Sequence, residues 1–482
     1  MNYRIVLQTL GKILILEAIL LIVPLIVSFI YHEKHLYLPF IITIFVTAVI
    51  GLLLVFLLKK PNKMIFAKEG FAIVSLSWIL ISLFGCLPFI FSKEIPNFFN
   101  AFFETVSGFS TTGASILNNV EDLSRGLLFW RSFTIWIGGM GILVFVLAFL
   151  PNINERSMYI LKAESPGPKI GKLVSKTKIT ARILYGIYIT LSITLIILLS
   201  IGDMPLFDSV IHGLSTAGTG GFSMKNNSIG AYNSLYSEIV ITIFMLLFST
   251  NFNLFYLILI GQSKQILKNE EFLWYLGIVF IAITIITLNT LNTFGNIFTA
   301  LRHSSFQVAS IISTTGFSSY DFNTWPTLSK WVIIILMFTG GCAGATCGGI
   351  KISRIGILFK SIINEIKISI HPRQVTTIRY EGKPVEKQII KEVSSFFIAY
   401  IFILLIGTLI ISIENYDLVT NFTTVLSCLS NIGPGLSAVG PMGNYSIFSS
   451  FSKLFLSFIM LAGRLEIFPI LILFSPKMWK KL

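Results

Sequence analysis

Hydrophobic and polar positions vary on two scales along this chain. Long apolar runs come close to the roughly 20 residues that cross a hydrocarbon core; Ile13–Ile30, Pro39–Leu58, Ile183–Leu199, Ile239–Ile260, Tyr275–Leu291 and Phe396–Ile413 are examples. Between such runs lie short segments rich in Ser, Thr and Gly: Gly108–Ser115 (GFSTTGAS), Ser215–Ser223 (STAGTGGFS), Ser310–Ser318 (SIISTTGFS) and Ser427–Gly435 (SCLSNIGPG). With Gly113, Gly221, Gly316 and Gly433 as anchors, they recur at intervals of roughly one hundred residues. A serine stands six residues before every anchor: Ser107, Ser215, Ser310 and Ser427. Phe109, Ala217, Ile312 and Leu429 stand four before, and Thr111, Thr219, Thr314 and Asn431 two before. Anchoring the second segment on Gly220 would put Leu214 in the serine position, so Gly221 sets the register.

About fifteen residues of helical character precede each anchor, too few and too polar to cross a membrane. Pro96 and Pro205 suit a first helical turn, where a missing N–H does no harm. Asp203 and Asp417 suit an N-cap. With apolar runs on both sides, the predicted unit is span, short helix, polar loop, span. Four units, preceded by two spans near 9–31 and 38–58, predict an all-α integral membrane protein with ten spanning and four re-entrant helices. The expected divisions are 1–60 for the N-terminal pair, 61–150, 151–265 and 266–361 for the first three units, 362–391 for a cytoplasmic connection and 392–482 for the fourth unit.

Extended backbone inside a membrane is tolerated only around protein or water, because an unpaired carbonyl in lipid costs several kcal/mol. Four such loops on one axis would aim carbonyl oxygens at a dehydrated cation, and the short helices would add the negative ends of their dipoles. That is the logic of a potassium filter. Glycine is needed where the carbonyl geometry demands backbone angles closed to other residues.

Composition fits this picture. The 482 residues are 54% hydrophobic and 12% charged, with mean hydropathy +0.83, whereas soluble domains carry about 25% charge. The net charge of +14 is not one contiguous patch, which argues against nucleic acid. Basic residues gather in every second connection: Lys59, Lys60, Lys63 and Lys68; Arg156 to Arg182; Lys264 and Lys268; Lys351 to Lys391; Lys477, Lys480 and Lys481. The connections between, such as Asn118–Leu127 and Ser318–Leu328, are nearly free of them. Retention of Lys and Arg on the cytoplasmic side places both termini there. The first apolar run is too long for a cleaved signal peptide and is expected to span. Cys86, Cys342, Cys347 and Cys428 fit no zinc spacing and are expected to be small buried residues.

At these loops the chain resembles the Trk/Ktr/HKT superfamily of potassium transporters, and within it the TrkH branch. The motifs that carry the resemblance are LPFIFS (Leu87–Ser92), FSTTGAS, GGMGI (Gly138–Ile142), GGFS (Gly220–Ser223), GGCAGATCGGIK (Gly340–Lys351), NIGPGLS (Asn431–Ser437) and GRLE (Gly463–Glu466). The resemblance covers essentially the whole chain and includes the N-terminal pair, which the Ktr branch usually lacks. It implies filter positions at Thr111, Thr112 and Gly113, at Thr219, Gly220 and Gly221, at Thr314, Thr315 and Gly316, and at Asn431, Ile432 and Gly433. The second loop, Ala217–Gly218–Thr219, is more glycine-rich than the family pattern. A filter with one glycine per loop predicts potassium and rubidium over sodium, with weaker discrimination than a TVGYG filter. The resemblance further implies one pore per protomer, a homodimer surrounded by membrane lipid, and potassium as transported ion in a bacterial or archaeal cytoplasmic membrane. No covalent cofactor is implied; nucleotide would be bound by a separate cytoplasmic partner of the TrkA type.

Five glycines lie in Gly340–Gly349 (Gly340, Gly341, Gly344, Gly348 and Gly349) and should break a helix that would otherwise run Trp331–Lys360. No Gly-Lys-Ser/Thr follows and no βαβ unit surrounds them, so phosphate-loop and dinucleotide readings fail. A tight helix crossing is the plain alternative; the resemblance implies a gate beneath the filter. Arg464 lies inside an apolar run, Leu454–Phe474, where an arginine is costly and faces a cavity or partner. The resemblance has it restrain a passing cation, and on a continuous helix Glu466 would face another way. His212 among serines could suggest an intramembrane hydrolase, but no nucleophile motif accompanies it.

A proton- or sodium-coupled symporter working by alternating access is the competing function. That class usually shows inverted repeats, whereas these four units all start from the same side. The longest polar connection, about Ser361–Lys391, is too short for a nucleotide-binding domain, which takes a hundred residues or more. Nucleotide control would therefore come from another chain. Lys162, Lys169, Lys172, Lys176, Lys178, Lys360, Lys367, Arg373 and Arg379 are the expected docking charges.

Overall fold

The computed structural model describes residues 1–56, 67–141, 177–374 and 376–479. Six helical stretches there are long and apolar enough to cross a membrane: Tyr3–Ile30, Lys34–Phe56, Lys68–Phe91, Ala181–Ile201, Glu270–Phe294 and Lys387–Glu414. Each of the last four leads into a shorter helix: Phe98–Phe109, Leu206–Ala217, Ile297–Ile312 and Leu418–Ser430. Asn97, Asn296 and Asp417 cap three of these by accepting backbone N–H groups, which fixes where the chain turns back inward. Three expectations at the helix starts are corrected. Pro96 lies before the cap rather than inside the helix, and Pro205 is itself the N-cap residue. Asp203 instead accepts the Ser234 hydroxyl at 2.9 Å.

After each polar loop a second helix begins: Arg125–Gly139, Leu235–Phe248, Thr327–Thr339 and Ser450–Arg464. The sequence predicts a break only in the third. All four stop after 13 to 15 residues. Left-handed backbone marks three of the breaks: Gly141 (φ +80°), Gly340 (φ +64°), and Glu466 with Ile467 (φ +57° and +67°). In the second unit the next helix, Phe252–Leu259, is bent away by 92° and starts on an Asn251 cap. The three second spans expected to run uninterrupted thus stop early, at Gly139, Phe248 and Arg464. Glu466 consequently lies off the helix, and its carboxylate pairs with Arg354 at 2.6 Å.

The 362–391 connection is not simply loop. The helix Ile352–Ile370 fills its first part, and a two-stranded hairpin pairs Arg379–Tyr380 with Lys383–Pro384. Tyr380 is buried against Gly356. Of the basic clusters, Lys59, Lys60, Lys63, Arg156, Lys162, Lys169, Lys172, Lys176, Lys480 and Lys481 lie outside the described residues.

The N-terminal pair packs through glycine. A Cβ on Gly11 would lie 2.7 Å from the Gly51 carbonyl oxygen, and one on Gly51 2.8 Å from that of Gly11. Close backbone approach of this kind holds membrane helices together by dispersion where lipid gives no hydrophobic drive. Gly11→Val should therefore destabilise the protein by about 1–3 kcal/mol. Thermal unfolding in detergent measures this, and an unchanged midpoint would contradict the tight crossing.

Candidate ion-conduction site

The serine register has a backbone cause. The carbonyl of each serine six before the anchor accepts the amide of the residue just before that anchor: Ser107 from Thr112 at 2.8 Å, Ser215 from Gly220 at 3.0 Å, Ser310 from Thr315 at 2.9 Å and Ser427 from Ile432 at 3.0 Å. To close this turn, the residue two before the anchor goes left-handed in every loop: Thr111 (φ +58°), Thr219 (+55°), Thr314 (+54°) and Asn431 (+57°). The anchors themselves follow at φ +76°, +66°, +84° and +98°. These angles favour glycine.

The four loops touch in cyclic order. A Cβ on Gly113 would come within 3.0 Å of the Gly220 carbonyl oxygen, one on Gly221 of Thr315, one on Gly316 of Ile432 and one on Gly433 of Thr112. Each anchor glycine therefore rests against the carbonyl of the next loop, and the fourth returns to the first. Thr111, Thr112, Thr219, Thr314, Thr315, Asn431 and Ile432 are all fully buried. Asn431 adds a cross-link by donating to the Thr112 hydroxyl at 2.9 Å.

One side of the ring is open. A vestibule of ≈ 140 Å³ is lined by Gly113, Gly221, Gly316 and Gly433 and by the segments that follow them. At its rim Lys225 donates to Glu121 at 3.0 Å and holds that carboxyl below its usual range, joining the first two units.

The other side is covered by the glycine-rich segment. The Gly348 amide donates to the Thr314 hydroxyl at 2.8 Å, and the Thr219 hydroxyl donates to that of Thr346 at 3.3 Å. Gly348 also packs against the Ser430 carbonyl, and Gly340 lies against Gly349, folding the segment on itself. The Gly341 carbonyl accepts the Ile352 amide at 3.1 Å. The Phe252 amide donates to the Gly344 carbonyl at 3.3 Å, pinning the segment to the break in the second unit. Arg464 completes this layer. Its guanidinium donates to the Thr346 carbonyl at 2.7 Å, to the carbonyls of Gly138 and Gly139 (2.6 Å for Gly139), and to the Thr111 hydroxyl at 3.4 Å. The predicted filter and gate residues are thus brought together.

Several residues around the ring, on both of its sides, go beyond the sequence expectation. Buried Glu271 accepts the Ala343 amide at 2.7 Å, and buried Lys351 donates to the Cys347 carbonyl with left-handed backbone of its own. Glu104 and Arg131 form a buried pair behind the first loop. Only the rarity of charge in apolar sequence marks them. His212 is fully buried and is held by the Asp208 carbonyl at 2.8 Å and the Ser223 hydroxyl at 2.9 Å, a helix-to-loop tie. All four cysteines are buried and unpaired.

The TrkH family model, described as a cation transport protein, matches residues 38–481. The chain is 35% identical to Trk system potassium uptake protein TrkH of Salmonella typhimurium over 487 residues, covering all of both chains. It is 34% identical to the same-named protein of Escherichia coli K12, again over all of both, and 33% identical to TrkG of that organism over 99% of each. It aligns with the crystal structure of the potassium transporter TrkH from Vibrio parahaemolyticus at a TM-score of 0.90 and 30% identity, over 100% of both chains.

Proposed function

The chain belongs to the TrkH family of cation transport proteins, which are not enzymes, and from that premise we propose that it takes up potassium through one pore walled by its four polar loops. The observation that carries this reading is the cyclic contact of Gly113, Gly221, Gly316 and Gly433 with the neighbouring loops' carbonyls. In this reading Thr111, Thr112, Thr219, Gly220, Thr314, Thr315, Asn431 and Ile432 line the filter with those glycines. Their carbonyl oxygens replace the water shell of the ion. The short helices end at the ring, so their C-terminal dipoles favour a cation there.

The segment 340–349 acts as the gate, with Gly340, Gly341, Gly344, Gly348 and Gly349 supplying the backbone freedom, and Arg464 latches it shut. Opening would need the Thr346 carbonyl to leave Arg464 and the Gly348 amide to leave Thr314. The helix Ile352–Ile370 starts where the segment ends and is the natural lever. Its exposed Ile362, Ile366 and Ile370 support a face for a second copy, as a homodimer requires. The proposed setting is a bacterial or archaeal cytoplasmic membrane with both termini inside, and the proposed domain divisions are those of the four units.

A TrkA-like nucleotide-binding ring would dock on the cytoplasmic face. Lys360 is engaged by Glu270 and the Arg379 carbonyl, which leaves exposed Lys367 and Arg373 as the better docking charges. Reversing both charges should weaken co-purification with the cognate ring protein by about tenfold, the loss of one close ion pair or so. Undiminished binding removes this face as the dock. Uptake of rubidium by liposomes holding the purified protein tests the function itself. Uptake driven by a potassium gradient alone is expected; a strict need for a proton or sodium gradient would instead favour the symporter.

A further inference from the structure

Nine residues before each anchor glycine stand four different polar residues: Glu104, His212, Gln307 and Thr424. All four are buried. Three brace the segment that leaves the ring. The Ser115 hydroxyl donates to Glu104 at 3.0 Å and the Ile116 amide at 2.9 Å. The Ser223 hydroxyl donates to His212 Nε2 at 2.9 Å, because Nδ1 must donate to the Asp208 carbonyl. Gln307 donates to the Tyr320 carbonyl at 3.2 Å. In the fourth unit the neighbouring Thr423 hydroxyl takes the Leu436 amide at 3.0 Å.

Of these braces the first alone carries a full charge, and its partner joins two units. Arg131 Nε donates to Glu104 at 2.8 Å, and Nη1 reaches the Ser223 carbonyl of the second loop at 3.3 Å. Its guanidinium lies 3.9 Å from the centre of the Phe222 ring and borders the vestibule. Both charged side chains are almost wholly excluded from solvent, at 2% and 0% exposure. An ion pair so buried is a poor device for stability alone, since well-packed apolar residues of similar volume often serve as well. Here every remaining hydrogen-bonding atom is spent on the outer ends of the first two loops.

We propose that Glu104 and Arg131 are a positioning pair that sets the ion selectivity of the filter by fixing the outer ends of loops one and two. The proposal rests on the pore reading above. Neither residue touches the ion. Their mutual neutralisation also keeps a bare charge from the outer mouth.

Rubidium uptake into liposomes, with potassium or sodium competing, tests the pair. In Glu104→Gln the preference for potassium over sodium should fall about tenfold, the size of one lost charge-assisted hydrogen bond. The apparent affinity for rubidium should weaken too, because Arg131 is left as an unpaired positive charge. The neutral double variant Glu104→Gln with Arg131→Gln should recover the affinity and not the selectivity. A purely structural pair would not split the two readouts. Wild-type selectivity in folded Glu104→Gln overturns the proposal, as does a double variant that recovers both properties. If Glu104→Gln does not fold, Ser115→Ala decides, since it leaves the ion pair intact. Its selectivity should fall about threefold at unchanged affinity, and an unchanged ratio overturns the proposal. Absence of uptake by the wild-type protein would refute the pore reading instead.

Discussion

Arg464→Ala is expected to raise basal cation flux about tenfold or more in the absence of any partner protein. Two effects act in the same direction. A fixed positive charge beside the path opposes a cation by about 1–4 kcal/mol at about 4 Å, depending on how wet the path is. The same guanidinium holds the glycine-rich segment through the Thr346 carbonyl and the first unit through the Gly138 and Gly139 carbonyls. Arg464→Lys keeps the charge but loses the planar fork, so its flux should fall between wild type and Arg464→Ala. Shortening 340–349 should raise flux without removing the charge. Flux through liposomes loaded with rubidium measures all three. Unchanged flux in Arg464→Ala and in the shortened variant together would return both features to structural roles.

The second large effect concerns the ring. Gly316→Ser places a Cβ against the Ile432 carbonyl and the Pro434 ring, and Gly433→Ser places one against the Thr112 carbonyl. Neither obstacle is the flexible end of a side chain, so the neighbouring loop itself must move. The backbone at φ +84° and +98° adds strain for any side chain. Selectivity for potassium over sodium should drop about tenfold, because carbonyls pushed out of the ring no longer replace the hydration shell of potassium, and water readmitted beside the ion solvates sodium equally well. Normal selectivity in both folded variants would take these glycines out of the filter.

The sequence made the ring legible and the layer beneath it only partly so. Four loops are recognisable because the left-handed turn, the serine carbonyl and the glycine anchor recur with their backbone requirement. Local geometry of that kind is written in local sequence. The break at Gly340 is equally plain, since glycine-rich sequence cannot hold a helix. The breaks at Ser249–Asn251 and at Glu466–Ile467 are not. Ile467 at φ +67° is a residue that no propensity would assign to a left-handed turn, and only its surroundings hold it there. Partners of buried charges were hidden for the same reason. Glu104 meets Arg131 from another helix, Glu271 meets Ala343, and Arg354 meets Glu466, all across long stretches of chain. A single charged residue in an apolar run announces that a partner exists, but not which.

If the four loops together hold a dehydrated potassium ion, it lies on the axis that their anchor glycines enclose. Crystals of the protein grown with rubidium in place of potassium, with diffraction recorded at the rubidium absorption edge, test it most directly. Anomalous peaks are expected on the axis enclosed by Gly113, Gly221, Gly316 and Gly433, coordinated by backbone carbonyls from all four loops and lost when sodium replaces rubidium. Rubidium peaks found only away from the ring, or equal occupancy by sodium within it, would show that the four loops are not a potassium filter.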